Sequence, residues 1–204
     1  MLITDVTGVL LAGGKSTRMG QDKRFLCIGG QTLLERGLCA MCALFERACV
    51  VIAQDGLPPP AQVPVFRDVV PDCGSLGGLY TGLREASTSH IFVAACDMPF
   101  LNANLVKYMI GLKEDADIVV ASWKARLQPI HAVYSKRCTG SFEDMIDRQE
   151  VKIQEVFKQP SLTVRFVLEN EVSQIDPEGR SFININNPAD LNAARLLYDD
   201  TIPS

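Results

Sequence analysis

Short apolar runs alternate along this chain with polar loops and with segments whose apolar residues recur every three or four positions. Brief runs bounded by turn residues fit buried strands, and the longer period fits helices with one covered face. Thr7 to Ala12 (TGVLLA) predicts a first strand, and Gln31 to Phe45 a helix with Leu34, Leu38 and Cys42 on one face. Ala48 to Ala53 predicts a second strand, Pro64 to Asp68 a short third, and Leu76 to Ser87 a second helix. His90 to Asp97 (HIFVAACD) is the most strand-like run of all. Beyond Pro99, Asn102 to Lys113 predicts a helix that Asn102 can cap. DIVVASW, QPIHAVYS and TVRFVLE supply further strands. RSFININ then leads into a closing helix that opens on Pro188, a residue suited to a first helical turn.

This alternation predicts an α/β fold whose mostly parallel central sheet is covered by helices. In such sheets ligands bind beyond the carboxyl ends of the strands. The loop after the first strand, Asp68 after the third and Asp97 after the fourth are therefore expected along one edge.

Composition narrows the possibilities. A chain of 204 residues suffices for one domain, here taken as 1–204, and is short for two. Hydrophobic residues at 47% beside 22% charged ones describe a globular chain, which argues against disorder. A net charge of -4 argues against nucleic acid as a partner. Apolar runs are too short to span a bilayer, and the N-terminus lacks the basic region of a signal peptide, so no membrane partner and a cytoplasmic location are expected. Seven scattered cysteines, an odd count, fit reduced thiols. Cys39 and Cys42 form a CxxC inside a helical stretch with no second pair for zinc, and are expected to be buried structural thiols.

The chemistry concentrates in GVLLAGGKSTRMGQDK (Gly8 to Lys23). It contains GGKST, yet Val9 stands where a Walker A loop needs its first glycine, and no GxGxxG is present. Gly13 and Gly14 can bring backbone amides close to a ligand, and Lys15, Arg18 and Lys23 add cations. This is the equipment of a polyphosphate pocket, or else of an ordinary turn carrying solvated charges. Asp97 ends a buried strand before Met98-Pro99, a place that suits either a Mg²⁺ ligand or a helix cap. Gly74, Gly77 and Gly78, after Asp68, allow either ligand approach or close helix-to-sheet packing; Asp72 sits deeper in that loop and is the weaker candidate. His131 is expected in the core or on the surface, with a substrate contact as the other reading. His90 is expected to be structural, and Trp123 to pack, with shelter of a flat substrate ring as its other reading.

LLAGGKSTRMGQDK, Arg67-Asp68, CDMPFL and the late NINNPADL together resemble the molybdenum cofactor guanylyltransferase family, across nearly the whole chain. The resemblance implies a single-domain, Rossmann-like nucleotidyltransferase fold with helices on both faces of the sheet. It further implies transfer of GMP from GTP to the terminal phosphate of molybdopterin, with Mg²⁺ as cofactor and pyrophosphate as the second product. Leu11, Ala12, Gly13 and Gly14 would hold the nucleotide, Lys23 the phosphates and Asp68 the nucleotide, while Asp97 would ligate Mg²⁺. Arg18, Lys23 and Asp97 would act catalytically, and Asn184 and Asn186 would lie near the pterin. Transient contacts with cofactor-insertion proteins and molybdoenzymes are implied as well. One departure stands out: Ala53 occupies the place after the second strand where family members can carry an asparagine. Three rival readings remain. Related pterin cytidylyltransferases tend to read LAAG where this chain has Leu11 to Gly14, and a methyl group at position 13 is expected to crowd the base pocket. Sugar-phosphate nucleotidyltransferases usually carry a proline where Asp22 precedes Lys23. A non-catalytic cofactor-delivery protein is the third.

Overall fold

A computed structural model describes residues 1–13, 22–56 and 58–199. The first strand, β1 (Ile3–Leu11), is followed by a small hairpin, β2 (Cys27–Ile28) and β3 (Gln31–Thr32), and by α1 (Leu33–Leu44). Then come β4 (Phe45–Ile52), β5 (Val65–Arg67), α2 (Gly74–Glu85), β6 (His90–Ala95) and α3 (Ala103–Gly111). The rest comprises β7 (Ile118–Trp123), β8 (Arg126–Ser135), α4 (Thr139–Asp147), β9 (Val164–Val167), α5 (Glu169–Ser173) and α6 (Pro188–Asp199). The hairpin, α4 and α5 are additions to the elements that the pattern predicts. Among the described residues, no helix is long and apolar enough to cross a membrane.

Seven strands form one sheet in the order β5-β4-β1-β6-β8-β7-β9, and the hairpin stands apart. Within the seven-stranded sheet every pairing is parallel except the two that β8 makes, with β6 and with β7. The expected α/β fold with a mostly parallel sheet forms, and β8 makes that sheet mixed. Both faces of the sheet are covered, which explains why its strands read as unbroken apolar runs. Leu10, Val50, Ile52, Phe92 and Ala94 point into the core shared with α1, α3 and α5. Their neighbours Val9, Leu11, Cys49, Val51, Ile91 and Val93 point into the core beneath α2 and α4.

Local signals place the helix starts. Thr32 caps α1 in a capping box: its Oγ1 accepts from Glu35 N–H at 3.1 Å, and Glu35 Oε2 accepts from Thr32 N–H at 2.8 Å. Asn102 caps α3 as expected, its Oδ1 accepting from Asn104 and Leu105 N–H. One expectation fails. Cys39 and Cys42 are exposed, because α1 turns Leu33, Leu34, Met41 and Leu44 inward and carries the CxxC on its outer side.

His131 is wholly buried on β8, opposite Ala94, and resolves to the core reading. Its ring lies edge-on between Phe92 at 5.2 Å and Phe182 at 5.1 Å, and Trp123 extends the aromatic row onto Phe182. Neither ring nitrogen has a hydrogen-bond partner among the described residues. Burial lowers its pKa to about 4, against a weaker opposing pull from Asp176. An unfolded histidine titrates near 6.5, so between those values the unfolded chain holds the extra proton and folding loses ground as pH falls. Urea unfolding across this window should therefore show stability that is full above pH 6.5 and declines towards pH 4. The histidine's share is on the order of 3 kcal/mol, from the pKa difference. In His131→Leu that share should vanish; an unchanged pH profile would refute the assignment.

Candidate active site

β1 ends between β4 and β6, so the carboxyl ends of four parallel strands share one edge. Ala12 N–H donates to Val51 O at 2.8 Å, Cys96 N–H to Leu11 O at 2.9 Å, and Asp68 N–H to Ile52 O at 2.8 Å. These bonds carry the sheet's pairing one residue past the strands. They hold Ala12, Ala53, Asp68 and Asp97 at the rim. Gly14, Lys15 and Arg18 lie outside the described residues, whereas Leu11, Ala12 and Gly13 do not.

Gly13 owes its lack of side chain to packing. A Cβ there would stand 2.9 Å from Ala53 N, a backbone atom that cannot swing away. The space that a methyl would need is therefore taken by the end of β4. The turn after Ala53 closes with Gly56 N–H donating to Ala53 O at 2.9 Å. Arg67 Nη1 donates to Gln54 O at 2.6 Å and Gly56 O at 2.8 Å, tying that turn to the edge strand.

Lys23 opens a short 3-10 turn (Lys23–Phe25) that Asp22 caps, its Oδ1 accepting from Arg24 N–H at 3.0 Å. The Arg24 guanidinium also clasps the Asp22 carboxylate through Nε at 2.8 Å and Nη2 at 2.5 Å. That bond holds Asp22 below its usual carboxylate range and raises Arg24. Asp22 thus has a local task at the place where the sugar-phosphate rival reading expects a proline. The clasp orients the chain as it leaves the rim. Lys23 Nζ then donates to Asn186 Oδ1 at 3.0 Å and stands 3.8 Å from Asp97 Oδ2.

The side chain of Asp97 is 25% exposed. Burial lifts its pKa above the ordinary carboxylate value, and the Lys23 ammonium pulls it part of the way back. Its carbonyl accepts from Ile185 N–H at 3.0 Å, which brings the NINNP segment to the rim. Asn184 is exposed and donates from Nδ2 to Phe182 O at 3.1 Å.

Asp68 lies apart. Three strand spacings separate its strand from that of Asp97, about 14 Å along the edge, so the two carboxylates cannot share one small cation. Asp68 Oδ1 accepts from Val70 N–H at 2.9 Å and Thr81 Oγ1 at 3.3 Å, while burial raises its pKa. A Cβ on Gly77 would meet both Asp68 carboxylate oxygens within 2.7 Å, and one on Gly78 would meet Leu11 at 3.3 Å. These two glycines serve packing. Gly74 instead has φ +56° with open space around it. Beside it a cavity of about 420 Å³ is lined by Cys73, Ser75, Pro129, Ile130 and Lys152. Because β8 runs against β6, Pro129 and Ile130 lie level with the carboxyl end of β6.

Lys23 and Asp97, which the residues point to, and Asn186, which the resemblance implies, are brought together by the fold, but what holds them was missed. Asp22-Lys-Arg24 and Asn187-Pro-Ala-Asp190 both carry side-chain capping signals that could have been read.

Comparison with known proteins extends this picture. The family model of the MobA-like NTP transferase domain matches residues 8–164. The molybdenum cofactor guanylyltransferase of Desulfosudis oleivorans is 34% identical over 192 residues, covering 93% of this chain and 94% of that one. In structure, the molybdopterin-guanine dinucleotide biosynthesis protein A of Archaeoglobus fulgidus superposes with a TM-score of 0.84. It covers 96% of this chain and 100% of its own at 24% identity, and so bears on the fold. A Mycobacterium tuberculosis protein crystallised with manganese shares the fold at TM-score 0.61 and 18% identity, over 80% of this chain and 88% of its own.

Gly13→Ala should force the ends of β1 and β4 apart and cost roughly 1–3 kcal/mol of stability, as overpacking does. Thermal unfolding measures this, and an unchanged melting temperature would contradict the close approach to Ala53.

Proposed function

This chain belongs to the MobA-like NTP transferase family, and we propose that it acts as a molybdenum cofactor guanylyltransferase, using GTP as donor and the phosphate of molybdopterin as acceptor. The observation that carries this reading is the meeting of Lys23 Nζ and Asp97 Oδ2, 3.8 Å apart, at the rim where β1 and β6 end. Relatives of full-length coverage bear the same activity in their names.

In the proposed step an anionic oxygen of the acceptor phosphate attacks the α-phosphorus of GTP. A new P–O bond forms as the bond to the bridging oxygen breaks, and pyrophosphate leaves with that electron pair. The nucleophile is already ionised near neutral pH, so no general base is required, in keeping with a histidine that sits in the core. The barrier is largely one of alignment and like-charge repulsion. Lys23 answers the second, with its ammonium aimed at the rim by Asn186 and by the Asp22–Arg24 clasp. Ala12 and Gly13 border the nucleotide, and Arg18, whose position is not described, adds a cation in the same loop.

A divalent cation fits Asp97. The carboxylate is largely desolvated, which raises its pKa despite Lys23, so a further positive charge is welcome there. Among the described residues no cluster of three or more His, Cys, Asp or Glu gathers to cage a metal. One carboxylate, completed by phosphate oxygens and water, is how Mg²⁺ is commonly held. When bound it would neutralise phosphate charge, and the manganese of the mycobacterial neighbour lends support.

With the phosphates near Lys23 and Asp97, the nucleoside extends over β4 and β5 towards Asp68 and the turn that Arg67 pins. The acceptor then enters from the β8 side, where the 420 Å³ cavity opens. Asn184, exposed and anchored through its amide nitrogen, keeps its amide oxygen for the pterin.

Incubation with Mg²⁺, molybdopterin and each nucleoside triphosphate in turn should release pyrophosphate with GTP above all. Preference for CTP, or release with a sugar phosphate but not the pterin, would overturn the reading. Asp97→Asn should fold normally and lose roughly 10²- to 10³-fold in rate, the usual loss for a group aimed at developing charge. Full turnover in that variant would remove Asp97 from the chemistry.

A further inference from the structure

Asn186 stands 163 residues from Lys23 in sequence, yet its amide oxygen accepts from the lysine ammonium at 3.0 Å. The contact is built from behind. Asp190 Oδ2 accepts from Asn186 N–H at 2.8 Å and from Asn187 N–H at 3.1 Å, and Asp190 N–H donates back to Asn187 Oδ1 at 3.0 Å. This reciprocal cap fixes the backbone of Asn186 at the start of α6. On its other side Ile185 is fully buried with Leu26, Ile28, Leu33, Leu191 and Ala194. Leu26 and Ile28 follow Lys23 by three and five residues, so one small apolar cluster registers both partners. Ile185 N–H also donates to Asp97 O, linking the same segment to the carboxylate.

From this we infer that Asn186 is a positioning residue for Lys23, and that its work in the reaction is on the nucleotide side, not on the pterin. The inference rests on the guanylyl-transfer reading of the site. A lysine side chain has four rotatable bonds and a compact, strongly hydrated charge, so left alone it samples many directions. A neutral amide oxygen limits that freedom without cancelling the charge. A carboxylate in the same place would form an ion pair and compete with phosphate for the ammonium. Asn, rather than Asp, is therefore the side chain that aims the lysine and leaves it electrophilic. Asp97, at 3.8 Å, is too distant for a hydrogen bond to replace this contact.

Two substitutions and one cycle test the assignment, with GTP binding measured in the absence of acceptor and steady-state kinetics measured for both substrates. Asn186→Ala should weaken GTP binding and kcat/KM for GTP by about 5- to 10-fold, the worth of one charge-assisted hydrogen bond. Asn186→Asp should weaken both further, and KM for molybdopterin should stay within about twofold in each. Adding Asn186→Ala to Lys23→Ala should change little, since the two act as a unit. A rise in KM for molybdopterin with GTP binding intact would overturn the inference and make Asn186 an acceptor contact. Full additivity of the two alanine substitutions would also overturn it. Failure of the guanylyl-transfer reading shows separately, in the substrate preference of the wild-type protein, whereas failure of the Asn186 assignment shows only between variants.

Discussion

β1 is paired along both edges and covered on both faces, with Val6, Val9 and Leu10 at or below 1% exposure. A strand so enclosed has no direction in which to relax. Its end, at Leu11 and Ala12, becomes a fixed reference from which the rim is measured, because Val51 and Cys96 bond to it on either side. The glycine that follows extends the constraint, since its Cα lies where only a missing side chain lets the end of β4 come so near. The functional groups themselves stand beyond this framework, on turns and on a segment from the far end of the chain. Precision at the rim is thus inherited from burial below it.

The charged groups at the rim are arranged as a balance of unequal partners. Asp97 is desolvated enough to resist ionisation, and the Lys23 ammonium that approaches it stands 3.8 Å away. Asp22 and Arg24, only a residue away on either side of Lys23, are the contrast: a tight pair that spends its charge on local order.

Much of this was legible in the residues. The parallel sheet follows from apolar runs without alternation, since strands buried on both faces need none. Asp97 was found because a carboxylate ends the most strand-like run, and Lys23 because cations cluster after a paired glycine. Legibility fails where three-dimensional neighbours are remote in sequence. Asn186 carries no mark of its distance to Lys23, and His131 alternates among apolar residues in a way that fits either face of a strand. The exposed Cys39 and Cys42 illustrate a second limit. Apolar spacing of four residues drifts around a helix of 3.6 residues per turn, so a stripe drawn through Leu34, Leu38 and Cys42 leaves the buried side that Met41 occupies. Asp68 illustrates a third: the edge of the sheet was foreseen, but the distance along it depends on strand order.

The small cluster that joins Ile185, Leu191 and Ala194 to Leu26, Ile28 and Leu33 has a temporal meaning. During translation the six main-sheet strands through β8 leave the ribosome well before residues 185–194 do, and the sheet around β1 can assemble without them. The lysine meets its amide partner only when α6 docks, as one of the last events of synthesis. A nascent chain therefore passes through a stage in which the rim has its carboxylate in place before its ammonium has met Asn186, and the earliest-made loop is completed by the latest-made helix.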